Sequence, residues 1–428
     1  MSTWTPQKFN QLVSFIDGDR GTNYPKQSEF LNAGYCLFLS TRNVPDNHFN
    51  FEECQFITEE KDSKLRKGKL QKGDYVLTTR GTVGNFAHYD NQVVYDNIRI
   101  NSGMVILRTK DDVVDNNFVQ YLLQSPTFKA KIKGRSTGSA QPQLPIRDME
   151  SIEFLIPPKT IQAEISSVLK SYDDLIENNE KRIKILEEMA QRLYTEWFVK
   201  FKFPGHEKVK MVESGTDYGM IPEGWKTTRL EKVSKIVRGC SYSTEEIDDT
   251  AGKYYLVNLK SFNRGGGFRF DGQKYYSGSI NNNQLLKTRD IVVAVTDMTT
   301  DRAVIARPAR VPEIEGKITL SADVVKIDSD ILPNTYLYQL LSSYRFTETT
   351  KQKANGANVL HLKPSAILEF VTVTPDAQTL NSFDVLCVPV AREIDKLLKQ
   401  NDNLSKTRDL LIPQLLTGKR ELKNYYEN

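Results

Sequence analysis

Ile165, Leu169, Tyr172, Ile176, Asn179, Ile183, Leu186, Ala190, Leu193 and Trp197 recur at alternating spacings of four and three, and all but Asn179 are apolar or aromatic. That is the stripe of a helix burying a narrow seam against another helix. A shift of 218 residues carries these positions onto Phe383, Cys387, Val390, Ile394, Leu397, Asn401, Leu404, Arg408, Leu411 and Leu415, again mostly apolar. Each stripe runs about 40 residues, ~60 Å of helix, well beyond the usual ~10–14 residues. Two matched helices are therefore predicted, each supplying the seam the other needs. Asn179 and Asn401 place an amide in each seam, which lowers stability and fixes register. Arg408 is expected to reach the seam's edge, and Thr160 and Asp376 are expected N-caps. Pro413 should bend or end the second helix, with Gly418 as terminus.

The same offset organises the rest of the chain. "FVQYLLQS" (118–125) lands on "YLYQLLSS" (336–343), Pro157 on Pro375, and the turn "RSTGSAQPQ" (135–143) on "KANGANVLH" (353–361), with Gly138 on Gly356. Ahead of each helix lies a block of domain size with β-type punctuation. Its clearest strand is "GDYVLTT" (73–79), which leads through "RGTVGN" into "FAHY" and is echoed by "RDIVVAVTDM" (289–298). The charged, aperiodic stretch between the first helix and the second block reads as a linker. The expected layout is an α+β chain: a first domain 1–157, a helix 158–200, a linker 201–221, a second domain 222–375, a helix 376–418 and a tail 419–428. The helices are expected to pair as an antiparallel coiled coil with pseudo-two-fold symmetry.

Composition narrows the chemistry. Lys and Arg total 58 against 54 Asp and Glu, a net charge of +4, so any basic surface must be local. Cys36, Cys54, Cys240 and Cys387 show no CxxC spacing, and His48, His88, His206 and His361 lie far apart. Neither a disulfide framework nor a metal site is expected, and a reducing cytoplasm is the expected compartment. The N-terminus has no charged-then-apolar signal and no run approaches the ~20 apolar residues of a membrane helix, so no membrane association is expected. The chain has no GxxxxGK[ST], no GxGxxG after a strand, no HExxH, and no Asn-Pro-Pro-aromatic loop of amino-methyltransferases. No catalytic residues are expected.

What stands out instead are turns rich in basic, amide, hydroxyl and glycine residues, which suit phosphate binding and the reading of base edges. The first block has "DGDRGTNYPK" (17–26), "STRN" (40–43), "RGTVGN" (80–85) and "RSTGSAQPQ". Its candidate DNA contacts are Arg20, Asn23, Tyr24, Lys26, Arg42, Arg80, Thr82, Arg135, Ser136 and Gln141. The second has "RGCSYST" (238–244), "NLKSFNRGGGFRF" (258–270), "TDMTTDR" (296–302) and "KANGANVLH". Its candidates are Arg238, Tyr242, Lys260, Arg264, Arg269, Thr299, Arg302, Lys353, Asn355 and Asn358. Arg20, Asn23, Arg80, Arg264, Arg269 and Arg302 flank turns whose small residues allow close approach, and are assigned to base edges. Lys133, Arg135, Lys351 and Lys353 are assigned to phosphate. "GGG" at 265–267 has no following helix and is not a nucleotide cradle.

"FLIPPKTIQAEISSVLKSYDDLIENNEKRIKILEEMAQRLYTEWF" resembles the central helical segment of the specificity subunits of type I restriction-modification systems. "MIPEGWKTTRLEKV" resembles the opening of their second target-recognition domain, "LLIPQLLTGKREL" their closing helix, and "TGSAQPQL" and "NGANVLHL" their late-domain turn. The similarity in layout covers essentially the whole chain. The second block departs from it by carrying "VTDMTTDR" where the first has "RGTVGN", so the two loops are not expected to bind alike. The resemblance implies two target-recognition domains, each reading half of a bipartite site in double-stranded DNA, and spacer helices that act as a ruler. It implies partners: a methyltransferase subunit in two copies and a motor-nuclease subunit. S-adenosylmethionine, ATP and magnesium would belong to those partners, with no cofactor bound by this chain. The competing readings are a coiled-coil adaptor whose globular blocks bind proteins, and a single-chain modification enzyme, which the missing motifs disfavour.

Overall fold

Both stripes are helical. The computed structural model, which describes residues 4–137, 142–270, 272–298, 302–356 and 359–422, carries them on helices Lys159–Tyr194 and Ala377–Leu415. None of the seam positions is exposed. The chain divides into two compact units, Met1–Leu175 with Leu404–Asn428, and Ile176–Asn403. Each mixes helix and sheet, so the α+β class holds.

Among its described residues the first unit has nine strands: β1 Thr5–Lys8, β2 Val13–Asp17, β3 Cys36–Leu39, β4 Phe56–Ile57, β5 Tyr75–Thr78, β6 Phe86–His88, β7 Ile98–Ile100, β8 Met104–Thr109 and β9 Glu153–Ile156. They form sheets of order β2-β8-β5-β6, β4-β3-β7 and β1-β9. All pairings are antiparallel except β3 with β7. Tyr75–Leu77 of β5 and Met104–Leu107 of β8 read as unbroken apolar runs because both faces of their sheet are covered there. Tyr75, Leu77, Val105 and Leu107 enter one core, and Val76, Met104 and Ile106 the other. The first of these cores takes in Ile165 and Leu169 from one long helix and Ile412, Leu415 and Leu416 from the other.

The second unit repeats this plan. Its strands are β10 Met211–Glu213, β11 Met220–Pro222, β12 Lys226–Arg229, β13 Lys235–Arg238, β14 Ile247–Asp248, β15 Tyr254–Val257, β16 Tyr275–Tyr276, β17 Ile291–Ala294, β18 Thr296–Asp297, β19 Pro308–Arg310, β20 Ile318–Leu320, β21 Val324–Asp328, β22 Leu360–His361 and β23 Val371–Thr374. The order β13-β21-β17-β19 matches β2-β8-β5-β6, and β15 pairs in parallel with β20 as β3 does with β7. The side chains divide in the same way, with Ile291, Val293, Val325 and Ile327 in one core and Val292, Ala294 and Val324 in the other. The former core includes Ala190, Tyr194 and Trp197 of the first long helix and Leu380, Phe383 and Cys387 of the second.

The polar seam positions are all partnered. Within the second unit, Asn179 Nδ2 donates to Asn401 Oδ1 at 2.9 Å and Asn401 Nδ2 to the Ile176 carbonyl at 3.3 Å. Within the first, Arg408 is half-buried at the seam: its Nη1 meets Asp173 Oδ1 at 2.6 Å and its Nη2 meets the exposed Asp409 at 2.8 Å, while Tyr121 Oη donates to Asp173 Oδ2 at 2.7 Å.

The helix ends overturn one cap expectation and bear out the other. Thr160 is no cap, because the helix begins at Lys159 and Pro158 stands where the second helix has Asp376. Asp376 does cap: its carboxylate accepts from the Thr379 N–H at 2.9 Å and the Thr379 hydroxyl at 2.7 Å. Burial opposes ionisation there, yet these bonds and the Trp225 indole N–H hold the carboxyl below its usual range. Pro413 lies inside the helix, which runs two residues further to Leu415 before Gly418 turns at φ 67°. The first helix widens at its end into a π-helical turn, Thr195–Val199, which seats Trp197 and Phe198 in the core. The stretch expected to be an aperiodic linker instead pairs β10 with β11, and Phe203 stacks on Trp225 at 4.9 Å.

Candidate nucleic-acid interface

In the first unit the candidate turns gather at the end of β5. Thr78 is fully buried; its hydroxyl accepts from the Asn85 N–H at 3.0 Å and donates to the Thr82 carbonyl, so the intervening turn closes on its own strand. Gly81 and Gly84 sit at φ 74° and 97°, in the region that glycine occupies without a Cβ clash. The 135–143 turn docks beside it. Thr137 and Gln143 exchange backbone hydrogen bonds at 2.9 Å, the Leu144 N–H donates to Thr79 O at 3.0 Å, and Arg80 bridges Gln143. Thr79 N–H donates to Gly103 O at 2.8 Å, and Arg20 Nη2 reaches Ser102 O at 3.4 Å, which brings in the 17–26 loop. Asn85 Nδ2 donates to Pro45 O at 2.9 Å and ties in the loop after Arg42.

Individual candidates differ in what already holds them. Arg20 pairs with Asp17 at 3.2 Å, and exposed Arg42 stands 3.9 Å from Glu53. Asn23 donates to the Lys64 carbonyl at 3.2 Å, and the Tyr24 ring packs edge-on to Phe38. Lys26 and Thr82 are exposed, and Ser136 Oγ caps back to Ile132 O. Among the described residues no carboxylate pairs with Arg80 or Arg135, both half-buried.

The second unit closes its corner with the same bonds, its turn shifted by 218 residues (355 − 137) and its strand end by 216 (295 − 79). Asn355 and His361 exchange backbone hydrogen bonds at 2.9 and 2.8 Å, and Leu362 N–H donates to Val295 O at 2.8 Å. Thr296 pairs with His361 as Arg80 does with Gln143. The loop between the paired strands differs. Leu77 pairs with Phe86, nine residues on, but Val293 with Pro308, fifteen residues on. The glycine-rich 263–267 loop docks on this longer connection through Gly265 N–H to Ala303 O at 3.0 Å. Gly265, Gly266 and Gly267 all have positive φ, which makes "GGG" a backbone turn. Arg302, at φ 57°, donates from Nη1 to Lys351 O at 3.1 Å.

Lys353 pairs with Glu369 at 3.0 Å and Lys351 with Glu348 at 2.5 Å, so both phosphate candidates are pre-oriented by acids. Asn355 Nδ2 donates to Lys353 O. Arg264, Arg269 and Lys260 are exposed, Arg238 is exposed at the end of β13 with its carbonyl held by Gln284, and Tyr242 is 42% exposed. Gln141, Thr299 and Asn358, with Gly138, lie outside the described residues.

The candidate set omitted Lys64, Arg66 and Lys67, all exposed. Asp19 joins that run to the 17–26 loop, accepting from Gly21 N–H and Arg66 N–H at 2.7 Å each. Three cations within four positions, 64–67, were the available signal. Among the described residues no group of His, Cys, Asp and Glu could hold a metal, and no helix is long and apolar enough to cross a membrane.

These features define a duplicated α+β chain with one cluster of basic turns per unit, each built on two long helices. Residues 1–188 match the family model described as the type I restriction modification DNA specificity domain. The type I restriction enzyme MjaIX specificity subunit of Methanocaldococcus jannaschii is 28% identical over 364 residues, covering 85% of this chain and 81% of that one. The HindI specificity subunit of Haemophilus influenzae is 20% identical over 471 residues, covering 94% and 98%. The crystal structure of a type I S subunit from M. genitalium shares the fold with TM-score 0.52 at 14% identity, over 97% of this chain and 96% of that one. Over most of its length the chain is thus similar to type I restriction enzyme specificity subunits, the family that its helix and turn motifs resemble.

Proposed function

We propose that the chain confers sequence specificity on a type I restriction-modification complex, with each unit's turn cluster reading one half of a bipartite site in double-stranded DNA. The observation that carries this is the repeated corner: Thr137 with Gln143 and Asn355 with His361 close equivalent turns by the same bond pair, 218 residues apart. One construction used twice suits two half-sites. The basic and amide side chains on it match the chemistry of phosphates and base edges.

In the finer reading, residues 1–157 and 222–375 are the two target-recognition domains. Segments 158–200 and 376–418 form an antiparallel coiled coil with pseudo-two-fold symmetry that sets the spacer. The partners are a methyltransferase subunit, in two copies, and a motor-nuclease subunit. S-adenosylmethionine, ATP and magnesium act on those partners, and this chain works in the cytoplasm as a non-catalytic subunit. The adaptor reading is not favoured, because the relatives are specificity subunits.

The test is binding of the full chain with its methyltransferase partner to duplexes carrying the modified site and to scrambled duplexes, across salt concentrations. Preferential binding with a steep negative salt slope supports the reading, since neutralised phosphates release counterions. Binding that ignores both sequence and salt contradicts it.

A further inference from the structure

Among the differences between the two corners, one falls right after the residue that pairs with the closing turn. Gly81 follows Arg80, which makes an isolated bridge to Gln143; Asp297 follows Thr296, which pairs with His361 in β22. Gly81 turns the chain through its φ of 74°. Asp297 is 1% exposed, and its Oδ2 accepts from the backbone N–H of Val304 at 2.7 Å and of Ile305 at 3.0 Å. A buried carboxylate is costly unless it is hydrogen-bonded, and here it clamps the far end of the longer connection onto β18. Arg302, two residues before Val304, has a non-glycine φ of 57°, a conformation that persists only where its surroundings impose it. The Lys351 carbonyl takes one donor of its guanidinium at 3.1 Å, which orients the fork. One bond set thus fixes the backbone and the other the side chain.

We infer that Asp297 is the positioning residue for DNA reading by the second unit, acting through Arg302. This rests on the proposed DNA specificity. In the first unit a glycine turn and the Thr78 hydroxyl serve the same end, so the effect belongs to one half-site only.

Asp297→Asn keeps the shape but replaces a carboxyl that accepts two backbone N–H groups with an amide that carries one oxygen acceptor, which weakens the clamp. The experiment expresses wild type, Asp297→Asn, Arg302→Ala and the double variant with the methyltransferase partner, and maps modified adenines genome-wide. The expected result is that Asp297→Asn and Arg302→Ala relax the same base pair of one half-site. Discrimination there falls about tenfold, the other half-site and the spacer are retained, and the double variant is no worse than Arg302→Ala alone. A wild-type motif from Asp297→Asn, relaxation spread over both half-sites, or additive losses in the double variant overturns the inference. A wild-type chain that directs no sequence-specific modification overturns the DNA reading itself, and the inference with it.

Discussion

Arginine and lysine at the turns are expected to do different work. Arg80 sits half-buried at the bridge to Gln143, whereas Lys353 stands exposed beside Glu369. Arg80→Ala should therefore lose ~1–3 kcal/mol of discrimination at one base pair of the first half-site. Lys353→Ala should weaken cognate and scrambled duplexes alike and lower the salt slope by about one unit. Titrations on both duplexes at two salt concentrations check this, and equal losses on both for Arg80→Ala would remove its reading role. Gly356 carries a structural prediction. It sits at φ 138°, and a Cβ there would fall 1.9 Å from the Val359 carbonyl oxygen. Gly356→Ala should cost about 1–3 kcal/mol in thermal unfolding and blunt reading by the second unit alone. A wild-type melting temperature would contradict it. The glycine turns were legible because φ restricts the residue choice. Arg289 was not: it takes the place of Gly73 at φ 73° against 94°, and residue type hides a left-handed arginine.

At the scale of elements the seams were readable from spacing, since an apolar position every three or four residues has few other uses. What fills the polar positions was not readable. Arg408 ends on Asp173, 235 positions away in sequence, and Tyr121 completes the trio. Arg408→Met should cost about 3 kcal/mol in denaturant unfolding, because it leaves Asp173 without its cation. Adding Asp173→Asn should recover part of that, since it removes the uncompensated charge and keeps an acceptor for the Tyr121 hydroxyl. Equal unfolding of the single and double variants would show that the pair carries no coupling. The hairpin β10–β11 was missed because its strands are three residues each and their alternation is too short to register. The departure of the loop after β17 from the first block's was visible, but its extra length and the clamp by Asp297 were not, because an Asp in a loop signals a turn far more often than a buried anchor.

For the whole molecule, the repeat makes two statements that can be separated. If the helices set the spacer, inserting four residues beside both Asn179 and Asn401 keeps the seams matched and adds ~6 Å, close to one turn. The mapped spacer should lengthen by ~2 base pairs. An unchanged spacer in a folded, active variant would remove the ruler. The domains make the other statement. Each unit has its own sheets and cores, so what one reads should not depend on the other. The most direct measurement is base-resolution mapping of modified adenines in cells carrying the methyltransferase partner and a chain whose residues 1–157 come from a related specificity subunit. The account predicts a new sequence in one half-site, with the other half-site and the spacer as in wild type. A change in both half-sites, or in neither, would contradict it.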